Sequence, residues 1–333
     1  MSLLPVIRTW EAWRPVFTDP GVWRHALHEI CRRHGLSPAG RITAGFPGTC
    51  AVFRVGQHTV VKFYPPMCRR DFDRERECYG LLSSCAEIPI PRLLASGILQ
   101  DAVEWPYIAT EFRPGDAIRD VFDRIPQENR LAIAREIGRA LGAIHRTPVD
   151  RITSMPTNAG AWRAFLDTQK ANCAAAHRRA GALPDALCAG IPAFLESAEP
   201  LLPGRLCLLN GDLTEDHLLL VRQNGRWRIS ALIDLADAEV GGPHYEWGAL
   251  WFGMFRQNSG MMQAFMAAYD PAVRMDTAWR RQAMAYTLLH RFGAEIVRIA
   301  IERTQLSHPL KDLSQLQNLL WPPQLQTVRS LRP

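Results

Sequence analysis

Asn210-Gly211-Asp212-Leu213-Thr214-Glu215-Asp216-His217 runs into the apolar stretch Leu218 to Val221, then Asn224-Gly225, then Trp227 to Ile233 and Asp234. The two apolar runs read as strands, and Asn-Gly between them supplies the positive φ angles of a tight hairpin turn. The hairpin folds the chain back, so Asp212 before its first strand and Asp234 after its second are expected to lie close together. Two acids so placed suit phosphoryl transfer. One can orient or deprotonate an attacking hydroxyl while the other holds a magnesium ion that bridges nucleotide phosphates. Either acid alone is no more than a turn former; the pair with its hairpin carries the reading.

Towards the N-terminus, Ile42 to Phe46, Ala51 to Val55 and Thr59 to Tyr64 are short β-rich runs, followed by a helical segment from Arg69 to Leu82. Strands at about Arg92 to Ile98 and Pro106 to Phe112 complete an antiparallel sheet with one helix. Only Lys62, Lys170 and Lys311 are lysines among 39 basic residues, and Lys62 sits inside the most apolar strand. A compact ammonium on a flexible stem suits a point contact to phosphate oxygens, and its desolvation demands an anionic partner. Glu77 on the following helix is the favoured partner and Glu75 the less favoured one. Gly45-Phe46-Pro47-Gly48-Thr49 stands where backbone N–H groups could cover phosphates. Glu111-Phe112-Arg113-Pro114-Gly115 is a candidate hinge whose backbone could meet an adenine edge.

Beyond Gly115 the pattern turns helical. Ile133, Ile137, Leu141 and Ile144 form a stripe that ends near His145, and two further helices precede the acidic hairpin. One long helix is expected from Thr277, capped by Asp276, to Glu302. The fold class is α+β with two lobes: a small antiparallel β-sheet lobe and a larger, mainly helical one. Residues 1–38 form a helical leader, 39–112 the β-rich nucleotide-binding lobe, and 113–333 the helical lobe with catalytic loop and substrate pocket.

Bulk properties exclude several classes. The 333-residue chain is 47% hydrophobic, with no stretch approaching the roughly 20 uninterrupted apolar residues of a membrane span and no signal-peptide pattern at its start. The net charge of +6 is dispersed arginine rather than a basic block, which argues against nucleic acid. Eight scattered cysteines show no metal spacing and are expected to be reduced, in a cytoplasmic monomer. His145, His290 and His308 receive no chemistry.

Gly45 to Thr49, Lys62, Glu77, Glu111 to Gly115, Asn210 to Leu213 and Ile233-Asp234 occur in the order of the protein-kinase-like aminoglycoside phosphotransferases, and the chain resembles that family from about residue 40 onward. Ala134 to Gly142, His145-Arg146, Gly242-Pro243-His244-Tyr245, Leu288-Leu289-His290 and Leu320-Trp321-Pro322-Pro323 look like the hygromycin B branch. The resemblance implies a kinase-like fold using ATP, with GTP as the alternative donor, and Mg2+. It makes Asp212 the catalytic aspartate, Asp234 a magnesium ligand, Lys62 the phosphate-binding lysine and Glu77 its ion-pair partner. Two positions depart from the family. Asn210 replaces the usual His and can still hold the loop by hydrogen bonding. His217 replaces an Asn that serves as second metal ligand, which implies a single tightly held metal, a contact through water, or a site reordered around Asp216 or Glu215.

The implied partner is a small molecule, an aminoglycoside. A polycation calls for carboxylates, and Asp237, Glu239 and Glu246 are the candidates, with Glu295 and Glu302 behind them. Tyr245-Glu246 could instead brace the catalytic loop. The hygromycin-like branch carries an acid where this chain has Arg291, which allows a less cationic acceptor. A kinase of another metabolite alcohol (choline, homoserine or a sugar) and a nucleotide-binding pseudokinase are the alternatives.

Overall fold

The computed structural model describes residues 4–46, 48–198, 205–304 and 310–326. Pro47 and His308 therefore lie outside the described residues. The chain divides into two compact units, one of residues up to Gly115 together with Ser230–Asp237, the other of Asp116–Ile229 and the residues from Ala238 onward.

Unit 1 begins with α1 (Trp10–Trp13) and α2 (Pro20–His34). α2 starts on an Asp19 cap with Pro20 in its first turn and stops at Gly35, whose φ of 62° ends it in the left-handed region. Strands β1 (Ile42–Ala44), β2 (Ala51–Val55) and β3 (Thr59–Phe63) follow, then α3 (Arg69–Leu82), β4 (Leu93–Gln100) and β5 (Glu104–Glu111). They form one antiparallel sheet in the order β1-β2-β3-β5-β4. Strand alternation sends Phe53, Val61, Phe63, Trp105 and Tyr107 to one face, where they pack with Trp13, Trp23, Leu27 and Ile30. Trp23 lies edge-on to Trp105 at 4.8 Å and 4.7 Å from Phe63. The helical leader is thus part of the core of unit 1. The same period of two turns Lys62, between its partners Val52 and Ile108, to the opposite face, which α3 covers.

Unit 2 contains β6 (Asp116–Ala117), α4 (Ile118–Val121), α5 (Gln127–Arg146), α6 (Ala159–Ala180) and α7 (Asp185–Ser197). The strands β7 (Cys207–Leu209), β8 (Leu218–Gln223), β9 (Arg226–Leu232) and β10 (Glu239–Gly241) come next, the last residues of β9 grouping with unit 1. Helices α8 (Ser259–Tyr269), α9 (Thr277–Leu289), α10 (Gly293–Thr304) and α11 (Leu313–Leu320) complete the unit. β8 and β9 form the expected hairpin, with Asn224 at φ 50° and Gly225 at φ 77°. β10 pairs with β7, setting Glu239 opposite Leu209. The stretch 210–217 is therefore pinned by a ladder strand at each end. Helices α5 and α8 approach until a Cβ on Gly138 would lie 2.5 Å from the Phe265 carbonyl oxygen, so only glycine fits there.

The long helix expected over Thr277 to Glu302 is two helices. Asp276 caps the first as expected, its side chain accepting from the Trp279 N–H. The chain breaks at His290 to Phe292, where Tyr245 Oη accepts the Arg291 N–H at 2.9 Å. At Gly293 a Cβ would sit 2.3 Å from the Thr287 carbonyl oxygen, so the break requires that glycine. No helix among the described residues is long and apolar enough to cross a membrane.

Candidate active site

In unit 1 the chemistry gathers on the α3 face of the sheet. Lys62 Nζ donates to Glu75 Oε2 at 2.7 Å and to Asp234 Oδ1 at 2.9 Å. Tyr64 Oη also donates to Glu75 Oε2, and the Leu235 N–H reaches Glu75 Oε1 at 3.4 Å. Glu75 is 2% exposed. Burial alone would pull the Lys62 ammonium down, but the Asp234 and Glu75 carboxylates outweigh it and hold the group well above its ordinary value. Burial pushes the Glu75 carboxyl up, with Lys62 drawing it part of the way back. Asp234 has φ 63°, a backbone state uncommon outside glycine, and is held by Lys62 and by the Ala236 N–H at 3.2 Å.

The ion-pair partner of Lys62 is Glu75 and not the favoured Glu77. Phe72, Glu75, Tyr79 and Leu82 share the buried stripe of α3, and two residues on, at about 100° per residue, Glu77 points the other way. The phase of the apolar residues carries that information. Two of the expected hinge donors are spent: the Glu111 N–H goes to the Arg92 carbonyl at 2.9 Å and the Phe112 N–H to the His58 carbonyl at 2.7 Å. Neither is available to an adenine edge. Arg113 donates through Nε and Nη2 to the Ser230 carbonyl at 3.0 and 2.8 Å. In the glycine loop the Gly45 N–H pairs with the Val52 carbonyl at 2.7 Å, and the Thr49 carbonyl accepts Trp13 Nε1–H at 2.8 Å, so of this loop Gly48 and Thr49 remain as the candidate phosphate cover. A larger groove of about 700 Å³ in unit 1, lined by His58, Arg92 and Glu111 among others, includes neither Lys62, Glu75 nor Asp234.

In unit 2 the loop of residues 210–217 is clamped from behind. Glu246, 1% exposed, accepts the Asn210 N–H at 2.5 Å and the Gly211 N–H at 3.0 Å through Oε1. Its Oε2 takes His145 Nε2–H at 2.7 Å, and His145 Nδ1 meets Tyr269 Oη at 2.8 Å. Glu246, expected at the substrate, is a brace of the loop instead, and His145, given no role from sequence, is its second member. Asn210 Oδ1 accepts the Asp212 N–H at 3.1 Å, which is the loop-holding task expected of it.

The front of the loop is tied to its own carbonyls. The Asp212 carbonyl accepts the Thr214 N–H at 2.8 Å and His217 Nδ1–H at 2.6 Å. With Nδ1 donating, only Nε2 could ligate, and magnesium prefers oxygen donors. A second metal at His217 does not fit; its task is to hold the loop. Asp234 fits a magnesium ion, because that cation is commonly held by one or two carboxylates with substrate phosphates and water. No group of three or more His, Cys, Asp or Glu suited to a metal occurs among the described residues, as such a mode allows.

Beside Asp212 and His217 opens a pocket of about 390 Å³, walled by Phe252, Phe292, Ile296 and Ile299 and carrying Glu215, Asp216, Glu295 and Arg303. Glu215 pairs with Arg256 at 2.8 Å, Asp216 with Arg119 and Glu295 with Arg298. Arg256 and Gln257 adopt φ of 46° and 58°, a strained pair that aims the Arg256 guanidinium at Glu215 and the Arg119 carbonyl. Of the other acids expected at the substrate, Asp237 belongs to unit 1 and Glu239 sits on the β10 ladder outside this lining.

Comparison with known proteins bears on the family and the fold. The phosphotransferase enzyme family matches residues 50–285. Among solved structures, a GDP complex of wild-type aminoglycoside 2'-phosphotransferase-IIIa is similar at 17% identity, covering 89% of this chain and 96% of that one, with a TM-score of 0.65. The streptomycin-ATP-APH(2")-IIa ternary complex matches at 16% identity over 84% and 91%, TM-score 0.59. A ternary complex of an APH(4)-Ia mutant with ADP and hygromycin B matches at 17% identity over 88% and 95%, TM-score 0.56. These likenesses give the kinase-like fold and single out no hygromycin branch.

Proposed function

The chain belongs to the phosphotransferase enzyme family, and from that premise we propose that it transfers the γ-phosphoryl group of ATP, or of GTP, to a hydroxyl of a small molecule. Lys62 binds the α- and β-phosphate oxygens, with Glu75 behind it fixing the ammonium. Asp234 would hold a magnesium ion, which would supply neutralisation of the charge on the nucleotide phosphates. Asp212 aligns the acceptor hydroxyl and takes its proton, and the Glu246 brace keeps Asp212 from drifting. Rate then comes from positioning and charge neutralisation more than from a strong base. The observation that carries this reading is the buried lysine shared by two carboxylates, an arrangement costly to bury unless its task needs it. Solved relatives crystallised with ATP, ADP or GDP support the nucleotide, and those with streptomycin or hygromycin B make an aminoglycoside hydroxyl the first acceptor to try. Eight free thiols fit action in the cytoplasm.

The test is Asp212→Ala. Its ADP affinity by calorimetry is expected to stay within about twofold of the parent while turnover falls by at least 10²-fold, the lower end of what a positioned base supplies. Unchanged turnover would remove Asp212 from the role. Lys62→Ala is expected to do the reverse and lose nucleotide affinity first.

A further inference from the structure

We propose that Trp13, in the leader helix α1, positions the phosphate-covering loop of unit 1: its indole N–H holds the Thr49 carbonyl and so fixes the backbone that Gly48 to Cys50 present to a nucleotide. The inference rests on the nucleotide role given to Lys62 and its neighbours, and adds to it a residue that acts through the loop rather than on the ligand. Trp13 Nε1–H donates to the Thr49 carbonyl at 2.8 Å, and the ring that carries it is 2% exposed although Thr49 itself is exposed. The indole stacks on Trp105 at 5.7 Å and meets Trp23 edge-on at 5.7 Å. Trp105 stands on β5, an inner strand of the sheet, so the donor is anchored to the rigid part of the unit. The segment leading to it is tied down as well: the Leu4 N–H reaches Asp101 Oδ2 at 3.0 Å and Thr9 caps α1.

The loop has little packing of its own. Its base is closed by the Gly45 N–H on the Val52 carbonyl, but Phe46 is 62% exposed and a Cβ on Gly48 would meet nothing within 4 Å. Orientation must therefore come from bonds. In a trans peptide the N–H points opposite to the C=O. With the Thr49 carbonyl turned to the leader, the Cys50 N–H of the same peptide is turned away from it. Strand alternation continues the separation: Ala51 packs in the cluster that contains Trp13, and Cys50 belongs to the opposite face, that of Lys62. Burial holds the Cys50 thiol well above its ordinary value, and the first charge opposing that rise is the Lys62 ammonium, as this placement requires. The peptide joining Thr49 and Cys50 thus spans the two faces, and a phosphate drawn to Lys62 meets backbone N–H groups whose direction is set from the leader side.

The test removes the indole N–H in two ways in the full chain: Trp13→Phe, and replacement of Trp13 by 3-benzothienylalanine, which keeps the bicyclic ring and lacks the donor, so that it folds even where the smaller ring does not. Trp23→Phe is the control. Trp23 is fully buried in the same cluster, but its Nε1–H goes to the Val16 carbonyl at 2.8 Å, inside the leader. In both Trp13 variants the calorimetric Kd for ADP is expected to rise about three- to tenfold, the range set by one lost hydrogen bond, and amide exchange over residues 45–52 should quicken by a similar factor. Adenosine, which has no phosphates, should change by less than twofold, and Trp23→Phe should leave both the ADP affinity and the exchange of that loop within twofold of the parent whatever it does to the urea midpoint. Unchanged ADP affinity in the benzothienyl variant, an equal loss for adenosine, or the same effects from Trp23→Phe overturns the proposal. If the parent binds ADP in those cases, the nucleotide reading survives and only the role of Trp13 is wrong, whereas a parent that neither binds ADP nor is stabilised by ATP removes both.

Discussion

Lys62 stays charged inside unit 1 because Glu75 and Asp234 both reach it, and removing either leaves an ammonium with half its compensation. Glu75 also takes the Tyr64 hydroxyl and the Leu235 N–H, so it orients the segment that carries Asp234. Glu75→Gln keeps the shape and loses the charge; with Asp234 still present the cost is about 1–3 kcal/mol rather than that of an unpaired buried ion. The expected outcome is a KM for ATP raised tenfold or more in a steady-state assay, against less than twofold for Glu77→Gln. Equal effects of the two variants would show that the helix phase does not decide the partner. The distinction was available in the sequence: Phe72, Glu75, Tyr79 and Leu82 are spaced by three, four and three, so Glu75 lies on the apolar stripe and Glu77 off it. What hid it was the habit of placing a charge outside such a stripe, which fails where a buried cation waits for it.

At the scale of elements, the loop after β7 is held by a carboxylate that arrives from the turn after β10 and by a histidine from the end of α5. Glu246→Leu strands two buried N–H donors, each costing about 1–3 kcal/mol, and is expected to unfold the loop or the unit. Glu246→Gln still accepts from them, so it should fold, bind ADP normally and lose kcat by at least tenfold as Asp212 loosens. Tyr269→Phe, at the far end of the chain of bonds, should change kcat by less than threefold. Stopped-flow phosphorylation with a saturating acceptor separates these cases, and a Glu246→Gln enzyme with full kcat would sink the brace. Local grammar made the hairpin readable through Asn224-Gly225, and the helix start through Asp276. The brace was not readable as a unit, because His145 and Glu246 stand 101 residues apart and nothing local announces their meeting. The break between α9 and α10 was foreshadowed by Gly293 alone, since its cause, the Tyr245 hydroxyl on the Arg291 N–H, is a tertiary contact.

At the scale of the whole molecule, the histidines of unit 2 set how the protein meets acid. His290 is 4% exposed, its Nδ1 accepts the Phe292 N–H at 3.2 Å, and its ring lies 4.4 Å from that of Tyr245. Burial, with help from Arg291, pushes its value down to about 3, and burial also lowers His177, whose Nε2–H donates to the Leu288 carbonyl at 3.1 Å. In the unfolded chain both titrate near pH 6.5. Below that pH the unfolded state binds protons that the folded state refuses, so stability is fully present above about 6.5 and is lost as pH falls towards the folded values, at up to about 1.4 kcal/mol per pH unit for each ring. For His290 alone the loss by pH 5 is on the order of 2 kcal/mol. Glu75 in unit 1 does not offset this above its own folded value: its raised carboxyl favours the folded state only as pH falls through that range and below. Urea midpoints at pH 7, 6 and 5 should therefore fall steadily. His290→Asn should be less stable at pH 7, having lost its ring packing, and should show a shallower decline because one refused proton is gone. A midpoint independent of pH between 7 and 5, or a variant that declines as steeply as the parent, would mean that the His290 ring reaches solvent and protonates without opening the fold.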